Sequence, residues 1–96
     1  MGNTTITNFT NGGTIKSTGG VGVNIASGTT ISNLKNTGTI NGSDGIKLAN
    51  GTKLETLNNT GVISSGNGSG VKVENGATIN SINNSGVISG NNSGIC

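Results

Sequence analysis

Residues 31–40 read ISNLKNTGTI, and the same pattern recurs, with substitutions, at residues 6–15, 54–63 and 79–88. Each copy begins with an aliphatic residue, carries a second apolar residue three positions later, and ends in Asn-x-Gly-x-Ile. The copies start 25, 23 and 25 residues apart. A period of this size is typical of solenoids, in which stacked units complete one continuous core. The repeat therefore predicts a stacked architecture.

Each copy also shows the two-residue alternation of a β-strand. Between Leu34 and Ile40, the residues Leu34, Asn36, Gly38 and Ile40 share one side of an extended chain. Because successive strand side chains point to opposite faces, this segment is predicted to be one strand with an inward face. A second strand is predicted at Val23–Ile25, Ile46–Leu48 and Val71–Val73, and starts again at Ile95. Turns such as Asn50-Gly51 lead into the next copy.

The pattern favours an all-β fold over a helical solenoid. Glycine and β-branched residues are abundant, and apolar residues do not recur every three or four positions. The predicted fold is a right-handed parallel β-helix, a β-solenoid of about four coils with 23–25-residue repeats. Residues 1–5 are interpreted as an N-terminal start left by expression, and residues 6–96 as coils 6–30, 31–53, 54–78 and an incomplete 79–96.

One segment of the repeat varies in length. Six, four, six and five residues separate the last isoleucine of each copy from the following glycine. Length variation confined to one place is expected of a surface loop on a regular coil. The predicted loops, which should lie over one another on one side, are Lys16–Val21, Asn41–Asp44, Ser64–Ser69 and Ser89–Ser93.

The asparagines of the repeat are predicted to point inward. Stacked coils lie ~4.8 Å apart, so identical side chains face each other along the axis. Each amide can then bond to the next, which satisfies groups that are costly to bury. The alternative, that they are ligands or catalytic amides, requires a metal-binding or nucleophilic partner that the columns do not supply. The predicted ladder comprises Asn11, Asn36, Asn59 and Asn84.

Composition bears on function mainly by exclusion. The chain has a net charge of +2 and no histidine, and its five basic residues form no cluster with aromatics, so nucleic-acid binding is not expected. The carboxylates Asp44, Glu55 and Glu74 fall in three different columns, which predicts no catalytic pair, and neither a cofactor nor a metal is expected. No apolar run approaches the ~18 residues of a membrane span. Cys96, the only cysteine, is a candidate intermolecular thiol.

The copies at residues 31–40 and 79–88 resemble the Asn-x-Gly-x-Ile repeats of bacterial autotransporter passenger domains and related secreted adhesins. The likeness covers Ile6 to Ile95. It implies export, a cell-surface or extracellular location and a right-handed coil. It does not specify an activity, because such coils serve as stalks, as adhesins and as carriers of inserted enzymes.

The expected function is structural: a non-catalytic stalk or adhesin scaffold. Open coil ends present strand edges to another chain, so head-to-tail self-stacking into filaments is expected. The alternative is a binding module that recognises a host glycan or receptor protein through the variable loops. Ice binding by outward threonines is less favoured. Only the second copy has a contiguous Thr-x-Thr pair, Thr37 and Thr39, and Lys35 interrupts the surface.

Overall fold

A computed structural model describes residues 4–95, which form twelve short β-strands and no helix. Each coil contributes three strands, separated by three corners. The strands are β1 (Thr4–Asn11), β2 (Thr14–Lys16), β3 (Val23–Ile25), β4 (Thr29–Asn36), β5 (Thr39–Gly42), β6 (Ile46–Leu48), β7 (Lys53–Asn59), β8 (Val62–Ser65), β9 (Ser69–Val73), β10 (Thr78–Asn84), β11 (Val87–Ser89) and β12 (Ser93–Ile95).

The strands assemble into three parallel four-stranded sheets that run along the coil axis. Their strand orders are β1-β4-β7-β10, β2-β5-β8-β11 and β3-β6-β9-β12. The register aligns the repeat columns, since Ile31 pairs with both Ile6 and Leu54. The all-β solenoid of about four turns is therefore confirmed. Its right-handed winding stays a prediction.

The segment predicted as one strand, Leu34 to Ile40, is instead two strands that meet at a corner. Strand β4 ends at Asn36 and β5 begins at Thr39, with a bend at Thr37-Gly38. The backbone N–H groups of Thr37 and Gly38 both donate to the Asn11 carbonyl, at 2.9 and 3.2 Å, which turns the chain there. The outward residues on either side of the bend belong to different sheets. The threonine columns considered for ice binding therefore do not form one flat surface.

Two predicted boundaries also shift because pairing with a neighbouring coil extends the strands. Thr4 and Thr5, assigned above to the N-terminal start, lie in β1 and pair with Thr29 and Thr30; residues 1–3 lie outside the described residues. The loops are shorter than predicted, because Asn41 pairs with Ser64 inside the sheet. Gly42, Ser65 and Ser69 are likewise strand residues.

The core is a stack of aliphatic side chains that is most complete in the two middle coils. Ile31 and Leu34 are both inward, although three positions apart, because the pairing passes from Ile31–Leu54 directly to Asn33–Thr56. The residue between these two pairs is unpaired, so the alternation of inward and outward side chains starts again after it. The buried apolar residues are Val23, Ile25, Ile31, Leu34, Ile40, Ile46, Leu48, Leu54, Leu57, Ile63 and Val71.

The corner before each new coil depends on a glycine in the left-handed region. Gly28, Gly51 and Gly76 have φ of 85°, 83° and 85°. In the second coil the Thr52 N–H donates to the Ala49 carbonyl at 3.1 Å, which places Gly51 third in a four-residue turn. A type II turn requires φ of about +80° at that position, and glycine adopts it without steric cost.

Gly51→Ala is expected to lower the free energy of unfolding by about 1–2 kcal/mol, because a Cβ is strained at positive φ. The space around the position is ordinary, since the nearest atom to an added Cβ would lie 3.5 Å away. Chemical denaturation measures the effect. Gly66→Ala, at a loop position with open space around it, is the control; equal losses in the two variants would contradict the turn assignment.

Candidate functional site

The most connected polar feature of the molecule is an inward column of asparagine amides, at the corner between the first and second sheets. Asn11 Nδ2 donates to Asn36 Oδ1 at 2.9 Å, and Asn36 Nδ2 donates to Asn59 Oδ1 at 2.9 Å. Asn59 Nδ2 in turn donates to Asn84 Oδ1 at 2.8 Å. We call this run of four residues the inner ladder. It brings together all four asparagines identified from the sequence.

Each amide of the inner ladder also holds its corner in shape. Asn36 Nδ2 contacts the Gly38 carbonyl of its own corner at 3.2 Å and the Val62 carbonyl of the next coil at 3.1 Å. Asn36 and Asn59 are fully buried. Among the described residues, every buried side-chain nitrogen and oxygen has a hydrogen-bond partner. The amides are thus committed to structure, and their polar atoms are occupied by the coil itself.

In every coil after the first, the glycine two residues after the ladder asparagine is required by close approach between coils. A Cβ at Gly38 would overlap the carbonyl oxygen of Gly13, and one at Gly61 would overlap that of Gly38. Gly86 stands in the same relation to Gly61. Gly13 differs, because nothing lies within 4 Å of a Cβ built there. This glycine position has no room for a Cβ in any coil that has a preceding coil, and it has room in the first coil.

A second amide column, the outer ladder, lies on the solvent side of the first sheet. Asn33 Nδ2 donates to Asn8 Oδ1 at 3.4 Å, Asn58 Nδ2 donates to Asn33 Oδ1 at 2.8 Å, and Asn83 Nδ2 donates to Asn58 Oδ1 at 3.0 Å. The repeat columns do not reveal this ladder, because Asn58 pairs with Lys35 and not with Asn33. The link between them is diagonal, which alignment by column cannot reveal.

The two ladders run in opposite directions. In the inner ladder each Nδ2 donates to the following coil, whereas in the outer ladder each Nδ2 donates to the preceding coil. Each end of the chain therefore presents one amide nitrogen and one amide oxygen along the coil axis. The nitrogen belongs to the outer ladder at the first coil and to the inner ladder at the last.

The apolar interior is open at both ends of the described chain. Ile6, Phe9 and Ile15 of the first coil are half-buried and line the N-terminal end of the core. A mainly apolar cavity of about 250 Å³ lies there, between Phe9, Ile25 and neighbouring residues. At the other end, Ile82 and Ile95 are 37 and 45% exposed. The same columns are completely buried in the middle coils.

The first three variable loops and the strand ends next to them form a polar cleft. A cavity of about 260 Å³ is lined by Lys16, Ser17, Thr18, Asn41, Gly42, Ser43, Gly66 and Asn67. The fourth loop lies beside the third, since the Asn92 N–H donates to the Gly68 carbonyl at 2.9 Å. Among the described residues that line the cleft, Lys16 is the one with a charged side chain.

The carboxylates lie in separate elements and have separate contacts. Asp44 Oδ1 accepts a hydrogen bond from the Ser69 N–H at 2.9 Å, so it braces a loop. Glu74 Oε2 lies 3.5 Å from Lys47 Nζ and 4.0 Å from Lys72 Nζ. Glu55 is exposed in β7. Between residues 4 and 95, no group of three or more acidic, histidine or cysteine side chains could hold a metal ion.

Cys96, the candidate intermolecular thiol, lies outside the described residues. In residues 4–95 the structure contains no helix long and apolar enough to cross a membrane. Comparisons with protein-family models, curated proteins and solved structures found no match to this chain.

Proposed function

We propose that this chain is a non-catalytic structural segment, a stiff β-solenoid scaffold of the kind found in bacterial surface-exposed or secreted proteins. The observation that carries the proposal is the commitment of the interior to contacts between coils. Ladder amides, corner glycines and aliphatic columns all face the neighbouring coil. The location at the cell surface rests on the resemblance of the repeats to autotransporter passenger domains.

The dimensions of the coils are those of a stiff unit that is short along its axis. The described chain has extents of 31 × 22 × 20 Å, and four coils stacked at ~4.8 Å occupy only ~19 Å along the coil axis. A fully extended chain of one repeat length would span more than about 75 Å. Each coil therefore converts a long segment into a short, broad layer that is hydrogen-bonded on three sides. Such a unit suits a scaffold whose length changes in whole coils.

If the chain is a modular scaffold, it should accept one added coil without loss of stability. We expect that duplicating residues 31–53 between Lys53 and Leu54 raises the free energy of unfolding, because the new coil adds two coil-to-coil contact surfaces where one existed. The maximum dimension along the coil axis should grow by ~5 Å. Urea denaturation and small-angle X-ray scattering measure the two quantities.

The matched control duplicates only residues 31–42, which leaves the aliphatic and asparagine columns out of register. We expect this variant to lose cooperative unfolding. A full-coil insertion that destabilises the chain as much as the half-coil insertion would contradict the modular role.

The second candidate function is recognition of a glycan or receptor protein through the loops. The polar cleft next to Lys16 is the observation that favours it. Saturable binding to a panel of glycans and matrix proteins, lost in Lys16→Ala and retained in Lys53→Ala, would support this function over the purely structural one. Absence of binding up to about 1 mM, where the binding free energy is only ~4 kcal/mol, would argue against it.

A further inference from the structure

The two ends of the chain carry matching apolar columns. The register places Ile79, Ile82 and Ile88 in the columns that begin with Ile6, Phe9 and Ile15. Ile95 belongs to the column that begins with Val23. A last coil facing a first coil would therefore repeat the contacts that bury the middle coils. The surfaces left open at the two ends are halves of the interface that already operates three times within the chain.

The inner-ladder groups at the two ends match when a last coil faces a first coil. Asn84 Nδ2, which donates within the chain to the Gly86 carbonyl at 3.4 Å, is the donor end of the inner ladder, and Asn11 Oδ1, which accepts from the Gly13 N–H at 3.3 Å, is its acceptor end. In the outer ladder Asn8 carries the donor end and Asn83 the acceptor end. A last coil on a first coil pairs donor with acceptor in the inner ladder, whereas the register places Asn83 beside Thr10 and Asn8 beside Ser81 in the outer one. In the inner ladder, two first coils would set acceptor against acceptor and two last coils donor against donor.

The edge strands carry little of the charge that protects exposed sheet edges. Natural proteins place lysine, proline or bulges on such edges to prevent pairing with another chain. Lys16 in β2 is the one charged residue among the six strands at the two ends, β1–β3 and β10–β12. The other four lysines and the three carboxylates lie in residues 35–74, between the end strands.

We infer that a second copy of this chain binds head to tail, with β10 of one copy pairing in parallel with β1 of the next. In this register Ile79 lies beside Ile6, Asn84 beside Asn11 and Ile88 beside Ile15 of the next copy. The assembly extends the structural role proposed above and rests on it. The interface is heterologous, and each copy is added along the coil axis, so the assembly stays open and generates stacks of no fixed size.

The size of the interface determines how strongly two copies are expected to associate. An end face bounded by 31 × 22 Å is smaller than the ~800 Å² per partner of typical stable complexes. We therefore expect stacks whose mean mass rises steadily with concentration, with an axial repeat of ~19 Å per copy. Sedimentation velocity and light scattering between about 10 µM and 1 mM, with a reductant present to keep Cys96 unpaired, measure the growth.

Gly13→Ala is the variant that separates stacking from folding. Within one copy a Cβ at Gly13 meets no atom within 4 Å, so the monomer should stay folded. In the stack, Gly86 of the preceding copy would stand to Gly13 as Gly61 stands to Gly86, and the added Cβ would overlap its carbonyl oxygen. We expect the dissociation constant of stacking to rise at least about tenfold. Gly19→Ala, also with open space around it, is the control and should stack like the unmodified chain.

Mixing the Gly13→Ala chain with the unmodified chain distinguishes head-to-tail stacking from other kinds of association. The Gly13→Ala chain keeps an intact last coil, so it should bind the first coil of an unmodified chain and end the stack. Small fractions of it should therefore shorten the stacks. A closed dimer, equal association of Gly13→Ala and unmodified chains, or a monomer up to 1 mM would each overturn the inference. A folded monomer that accepts the inserted coil would leave the scaffold function intact.

Discussion

Gly38→Ala is expected to lower the free energy of unfolding by about 3 kcal/mol or more. A Cβ at this position overlaps the carbonyl oxygen of Gly13 and also approaches the Gly12 carbonyl carbon. Overpacking usually costs about 1–3 kcal/mol when side chains can move aside. Here the obstacle is backbone held by the sheet, since the Thr39 N–H donates to that same Gly13 oxygen at 2.9 Å. Relief requires the two coils to separate locally.

The matched control is Gly13→Ala, in the same column one coil earlier. No atom lies within 4 Å of its Cβ, so we expect a change of no more than about 0.5 kcal/mol, as for surface substitutions away from special features. Urea denaturation at low protein concentration measures both variants without contributions from stacking. If the two substitutions cost the same, the close approach of the coils at this corner is not what requires glycine.

Asn36→Ala is expected to cost about 2–4 kcal/mol. The side chain is fully buried and takes part in four hydrogen bonds, with Asn11, Gly38, Asn59 and Val62. Removing the side chain leaves its buried partners with neither a protein group nor water to bond to. Each buried polar group left without a hydrogen bond costs about 1–3 kcal/mol. The total stays below the sum because Asn11 Nδ2 keeps its bonds to the Gly13 and Thr39 carbonyls.

Asn58→Ala is the control for the loss of an asparagine in a ladder. Asn58 is half-buried and bonds to Asn33 and Asn83 on the solvent side of the sheet, where water can replace the lost amide. We expect a loss below about 1 kcal/mol. Comparable losses in the free energy of unfolding at the two positions would show that burial does not determine how much the inner ladder stabilises the fold. Hydrogen exchange at Thr37 and Gly38 should accelerate in Asn36→Ala alone.

The columns of the repeat could be predicted from the sequence because they depend on short-range rules. Alternation marks the inward face, and like residues must stack when units of equal length pile on one another. Leu34, Ile40 and Asn36 are buried as the alternation implies. The turn glycine Gly51 was also visible, since Asn-Gly marks a position that tolerates positive φ.

The corner after Asn36 could not be read from alternation. Residues 37 and 38 continue the two-residue pattern through the bend, because an inward glycine is compatible with either a strand or a corner. The difference lies in the Asn11 carbonyl of the preceding coil, which accepts hydrogen bonds from both Thr37 and Gly38. The same limitation hid the outer ladder, whose diagonal link between Asn33 and Asn58 spans two columns.

The amino-acid sequence alone establishes the period, the inward columns and the scarcity of reactive side chains, because each is a property of residue type and spacing. The tertiary structure decided where the coil turns, which amides bond across columns, and which glycine is open and which is closed. Those features depend on the position of the preceding coil in space. Gly13 and Gly38 occupy the same place in the repeat, yet only Gly38 has another coil's carbonyl oxygen where its Cβ would stand.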